Sequence, residues 1–159
     1  MKQKTIEINY SEYDSIDDLI SDDAILIAKA RESSKNGWAP YSNFHVGAAV
    51  LLDNGEIILG NNQENAAYPS GLCAERVALY AANANYPHNR VVAIAISAFN
   101  RKGALEQPVS PCGSCRQAML ETEERFGAPI RIILDGSKSI TMIEGIRNML
   151  PLSFGKDSL

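Results

Sequence analysis

Nowhere do the 159 residues offer the about 20 consecutive apolar positions that a bilayer-spanning helix needs. The opening Met1-Lys2-Gln3-Lys4 has no apolar stretch behind it of the kind a secretory signal requires. A cytoplasmic protein with no membrane partner is therefore expected. Positive charge is scarce as well: Lys and Arg number 15 against 19 Asp and Glu, for a formal net charge of -4. A partner with a phosphate backbone calls for a basic face, so no nucleic acid is expected among the partners. Repeats, linkers and low-complexity tracts are absent, and the length suits one domain with a sizeable core. Histidine occurs twice and cysteine three times. An odd set of thiols in a reducing compartment is better explained by metal binding or catalysis than by disulfides.

All three cysteines fall in two short stretches, Cys73-Ala74-Glu75-Arg76 and Pro111-Cys112-Gly113-Ser114-Cys115. Each is followed by strong helix formers, through Ala82 in the first case and Glu124 in the second. A sulfur in the first turn of a helix faces unpaired N–H groups and the positive end of the dipole, which favours the metal-binding thiolate. A purely structural zinc site is closed by four protein ligands, whereas a catalytic one keeps a position open for water. Only His45 and His88 could close this one from outside. His88 lies in the polar stretch Asn85 to Arg90, and His45 heads an apolar strand where a packed histidine is the preferred reading. Glu75 stands two residues after Cys73, and positions i and i+2 do not share a helix face. It is badly placed to bind the same metal, yet it could reach a water or substrate beside it.

The rest of the chain reads as strands alternating with helices. Thr5 to Tyr10 alternates like an exposed strand, within a leader (residues 1–20) that reads as an N-terminal extension to a single domain over residues 21–159. Ser21 could cap a helix running from about Asp22 to Asn36 and ending at Gly37. Phe44 to Leu52 is a buried strand, Asp53-Asn54-Gly55-Glu56 suggests a type I′ hairpin turn, and Ile57 to Gly60 returns. Asn61 to Gly71 is too polar and too broken for regular structure, and its amides and carboxylate could equally bind a hydroxyl-bearing ligand or cap the following helix. Val91 to Phe99 is apolar throughout, as in a central strand covered on both faces. Pro129 to Leu134 and Ser139 to Ile143 supply further strands, with one or two helical turns from Glu144 to Leu150. The pattern predicts an α/β fold, a three-layer α/β/α sandwich with a mixed central sheet.

The two cysteine stretches resemble the zinc-deaminase signature in its three-cysteine form, and more narrowly the chain is similar to the small homotetrameric cytidine deaminases. The resemblance covers about Asp22 to Phe154. Its ordered blocks are Pro40-Tyr41-Ser42-Asn43-Phe44 with Val46-Gly47-Ala48-Ala49, Asn62-Gln63-Glu64-Asn65-Ala66, the two cysteine stretches, and Leu150-Pro151 with Phe154. It implies that Cys73, Cys112 and Cys115 ligate Zn²⁺ beside a water, and that Glu75 shuttles protons. It further implies that Asn62 and Glu64 hold ribose hydroxyls, that Phe44 packs against the pyrimidine, and that Phe154 reaches a neighbouring subunit's site. Arg76 would hydrogen-bond the ligand sulfurs and offset the negative charge of three thiolates. The implied reaction is hydrolysis of cytidine and deoxycytidine to uridine and deoxyuridine with release of ammonia, in pyrimidine salvage. His45 stands where many family members have proline, which bears on pocket shape. Two alternatives remain at this point: an aminohydrolase of the same fold acting on another aminopyrimidine nucleoside such as blasticidin S, and a non-catalytic zinc-stabilised interaction module, which would need a fourth protein ligand.

Overall fold

A computed structural model describes residues 1–159. Seven strands, β1 (Ser11–Tyr13), β2 (His45–Leu52), β3 (Ile57–Asn61), β4 (Val91–Asn100), β5 (Gly103–Ala104), β6 (Arg131–Asp135) and β7 (Ile140–Glu144), form one sheet. Their order is β1-β7-β6-β4-β2-β3, with β5 hydrogen-bonded to the end of β4. Only β4 and β6 run parallel, in register from Ala93 opposite Arg131 to Ser97 opposite Asp135. The sheet is therefore mixed. Helix α1 (Ser21–Ser34) covers one face, and α2 (Ala74–Asn85) and α3 (Gly113–Phe126) cover the other, which is the three-layer arrangement the alternation predicts.

Alternation of side chains along the strands divides the core in two. Val50, Ile94, Ile96, Ile132 and Leu134 point toward α2 and α3, where they meet Leu79, Met119 and Leu120. Ala49, Ala93, Ala95 and Ile133 point the other way, toward Leu26, Ile27 and Ala30 of α1. Small residues on that side let the helix approach closely. Arg31 of α1 grips Asp135 with two hydrogen bonds (2.8 and 2.7 Å), Ser97 adds a third to the same carboxylate (2.7 Å), and Arg131 reaches back to Asp23 (2.8 Å). Two buried carboxylates, one on α1 and one on β6, are thereby paired, which buried charge requires.

Three local expectations are corrected. Residues 5–10 form no strand; pairing starts at Ser11, opposite Met142 of β7. Ile6, Ile8 and Tyr10 are all more than half exposed, so their alternation has no apolar surface to bury, whereas Tyr13 packs on the core beneath α1. Ser21 does not cap α1 but begins it: Ile20 holds the cap position without a side-chain bond. The capping pattern lies upstream, where Ser15 and Asp18 close a one-turn 3₁₀ helix over Ile16–Asp18 reciprocally. The turn between β2 and β3 is not type I′, which needs two positive φ angles. Gly55 alone has one (86°), and the Gly55 N–H donates to Leu52 O while the Leu52 N–H pairs with Glu56 O, giving a three-residue loop.

Candidate active site

The first helix of each βα passage on the α2/α3 face begins with a cysteine at its cap position. Cys73 precedes α2 and Cys112 precedes α3, and neither uses its side chain to cap the helix. Their sulfurs are free to face outward from the two helix starts. Cys115 follows one turn into α3, fully buried. The Sγ atoms of Cys73 and Cys112 lie 3.8 Å apart and those of Cys112 and Cys115 3.5 Å, with all three within 4.8 Å of one another. A tetrahedral zinc with bonds to sulfur of about 2.3 Å sets its ligand sulfurs about 3.8 Å apart. The donor set fits zinc.

Electrostatics reinforce the fit. A hydrogen bond from the Cys115 thiol, with Arg76 and Cys112 adding to it, brings Cys73 down to about 5, while giving that bond and being buried push Cys115 up. Three sulfurs so close cannot all carry charge unless a cation sits among them. The Arg76 Nη2 stands 3.9 Å from Cys73 Sγ, and its Nε is buried with no hydrogen-bond partner. Glu75, the second residue of α2, is 5% exposed, and burial pushes its carboxyl above the usual carboxylate range. The metal-binding cluster consists of the three sulfurs, and the Glu75 carboxyl is outside it.

In front of the sulfurs opens a cavity of about 830 Å³. Cys73, Cys112, Glu75 and Arg76 line it, together with Phe44, Asn62 and Glu64. Asn62 is buried and locks the β2 entry: its Nδ2 donates to Phe44 O (2.8 Å) and its Oδ1 accepts the Val46 N–H (2.9 Å). Gly37 makes room for it, since a Cβ there would stand 2.5 Å from Asn62 Oδ1. That glycine is required by close approach and not by a positive φ. The Glu64 carboxylate accepts the Ser42 hydroxyl, the Tyr41 N–H (2.9 Å) and the Ser42 N–H (3.3 Å), and these donors hold it below the usual carboxylate range.

Seven of the nine residues singled out from the sequence thus border one cavity, and Cys115 completes the sulfur cluster beneath it. Phe154 does not. It is 62% exposed on the C-terminal segment, where Gln117 Nε2 donates to its carbonyl (2.9 Å). His45 is not part of the sulfur cluster; its Nδ1 is 3.1 Å from Gly37 O and its ring stacks on Phe99 (centroids 4.8 Å, 5° between planes). His88 is exposed in its loop. No fourth protein donor joins the cluster, as an interaction module with a closed zinc site would need. Ser42, whose hydroxyl also accepts the Phe44 N–H (3.0 Å), was not among the residues singled out from the sequence. Its signal lay in the tyrosine-serine pair ahead of Phe44, but its partner Glu64 is 22 residues away.

Thiols at two helix starts, backed by a parallel strand pair and flanked by a buried carboxyl, define a zinc-binding α/β domain with an open metal position. The family model for the cytidine and deoxycytidylate deaminase zinc-binding region matches residues 20–126. A cytidine deaminase from Sporosarcina psychrophila is 35% identical over 137 residues, 84% of this chain and 92% of that one. Another, from Halalkalibacterium halodurans, is 45% identical over 102 residues, 63% and 71% of the two chains. Among solved structures, the cytidine deaminase of Burkholderia pseudomallei superposes with a TM-score of 0.69 at 34% identity, covering 82% of this chain and 97% of that one. That of Mycobacterium tuberculosis gives 0.65 at 30%, with 86% and 99% covered. The chain belongs to the cytidine and deoxycytidylate deaminase family.

Proposed function

We propose that the protein hydrolyses the exocyclic amine of cytidine and deoxycytidine, consuming water and releasing ammonia, with uridine or deoxyuridine as product. The observation that carries this reading is the buried carboxyl of Glu75 beside three sulfurs spaced for zinc on the lining of a nucleoside-sized cavity. Cys73, Cys112 and Cys115 would hold the zinc, which supplies Lewis acidity that brings a water's pKa toward neutrality. Glu75 takes a proton from that water on a carboxyl oxygen, returns it to the ring nitrogen next to the reacting carbon, and assists departure of ammonia. Arg76 draws charge from Cys73, which keeps the sulfurs from quenching the metal.

Phe44 lies against the pyrimidine and fixes its plane. Asn62 and Glu64 recognise the sugar. Asn62 commits one N–H and one lone pair to the backbone of Phe44 and Val46, and Glu64 commits three acceptor positions to Tyr41 and Ser42, leaving one N–H and one lone pair on Asn62 and one acceptor position on Glu64. A single sugar hydroxyl can donate to Glu64 and accept from Asn62, so ribose and 2′-deoxyribose would both be accepted. The cavity's charged residues are Glu64, Glu75 and Arg76, a poor environment for a phosphate, which favours a free nucleoside over a nucleotide.

Phe154 and Leu152, 62% and 94% exposed, together with Tyr68 (80%) near the cavity mouth, support assembly into a homotetramer in which Phe154 covers a neighbour's cavity. No helix is long and apolar enough to cross a membrane, and a cytoplasmic role in pyrimidine salvage accords with a nucleoside substrate. The test is ammonia release from cytidine with and without a zinc chelator. Turnover that chelation abolishes and zinc restores is expected; no ammonia from the zinc-loaded protein would refute the reading.

A further inference from the structure

The segment Trp38 to Phe44 carries one wall of the cavity, and its conformation is imposed from outside. Asn43 has a φ of 54°, a left-handed backbone that asparagine adopts more readily than other residues with a side chain. The Asn43 N–H donates to Ala39 O (3.0 Å), the Trp38 N–H to Asn62 O (2.9 Å), and the Glu64 N–H to Trp38 O (2.8 Å). One side chain joins these restraints across the cavity. The Ser42 hydroxyl donates to Glu64 Oε1 and accepts the Phe44 N–H at 3.0 Å.

We propose that Ser42 is a positioning residue whose hydroxyl ties the Glu64 carboxylate to the backbone of Phe44, so that sugar and base recognition are set together. The proposal rests on the roles given above to Glu64 and Phe44. Without the hydroxyl, Glu64 Oε1 and the Phe44 N–H each lose a partner, and both groups gain freedom. The reacting end is untouched, because Cys73, Cys112 and Glu75 are carried by the starts of α2 and α3 and not by this loop. The loss should therefore fall on substrate binding and leave turnover nearly intact.

Threonine and valine have the same shape and differ in the hydroxyl, so S42T and S42V isolate it. With the zinc-loaded enzyme and cytidine, KM for S42T should stay within about twofold of wild type, and KM for S42V should be about tenfold higher than for S42T, with kcat within about twofold. In an E64A background, which removes the acceptor of the hydroxyl, the gap between the two should shrink below about threefold. Equal KM values for S42T and S42V, or a tenfold gap that persists in E64A, would overturn the proposal. If S42V does not fold, S42A removes the hydroxyl without added bulk and is judged by the same criteria. A wild-type enzyme inactive on cytidine would refute the functional reading itself, whereas an active wild type with no hydroxyl effect would refute only the role of Ser42.

Discussion

Glu75 is a carboxyl kept from water, and the proton transfers proposed for it depend on that. An exposed glutamate gives up its proton too readily to donate at neutral pH, while burial raises the cost of the charged form. Glutamine in its place keeps the volume and can neither take nor give a proton. E75Q is expected to bind one zinc per chain, as metal analysis would report, and to lose about 10²- to 10⁴-fold in kcat. Undiminished turnover would remove Glu75 from the reaction. The sulfur cluster was legible in the sequence because each of its halves is local: a cysteine at the cap of one helix, with Glu75 two positions on, and a Cys-x-x-Cys turn opening the other. Ser42 was not legible, since its meaning depends on a loop and a strand end 22 residues apart folding together. His45 could be placed only partly, because its stacking partner Phe99 lies across the β2–β4 ladder.

Elements whose patterns are self-contained came through the same filter. β4 and the two cysteine-led helices were visible as an apolar run and as stretches of helix formers, and the helix starts bring Cys73, Glu75, Arg76 and Cys112 to the cavity. β1 and the turn at Asp53–Gly55 depend on what lies beside them, and the sequence pattern misled at both. The end of α3 shows a similar dependence. Glu123 Oε1 accepts the N–H of Ile130, just ahead of β6, and of Ile146, just after β7, each at 2.8 Å. One carboxyl thus ties a helix to both ends of a hairpin. Burial pushes Glu123 above the ordinary carboxyl value despite those two bonds. A carboxyl that binds its proton more tightly when folded contributes stability fully below its unfolded value, and this is lost as pH rises through the folded one. Glutamine offers the same acceptor without charge. In urea unfolding, E123Q should gain on wild type as pH rises through that window and then hold its advantage to neutrality. E123A, which leaves two N–H groups unpaired, should lose about 2–4 kcal/mol. A gap between E123Q and wild type that does not vary with pH would show that charge at this position does not matter.

For the molecule as a whole, the sulfur cluster is the one place where α2 and α3 are joined at their starts, through residues that precede and follow β4. Packing between the helices, including Asn83 Nδ2 at 3.4 Å from Thr122 Oγ1, lies further along them. Without a metal only weak sulfur–sulfur hydrogen bonds span the helix starts, so ligation and folding should be coupled. Zinc held at about 1,000 times its dissociation constant stabilises the native state by about 4 kcal/mol, which for a chain of this size is roughly 10 °C in Tm. Wild type treated with a chelator should melt about that much lower, and added zinc should restore it. E75Q, with all three sulfurs intact, should show the same shift despite its lost turnover, and C112S should melt at the lower temperature with or without chelator. A chelator that abolishes turnover without moving the melting temperature of wild type or E75Q would separate the metal from the fold, and the cluster would then act in catalysis alone.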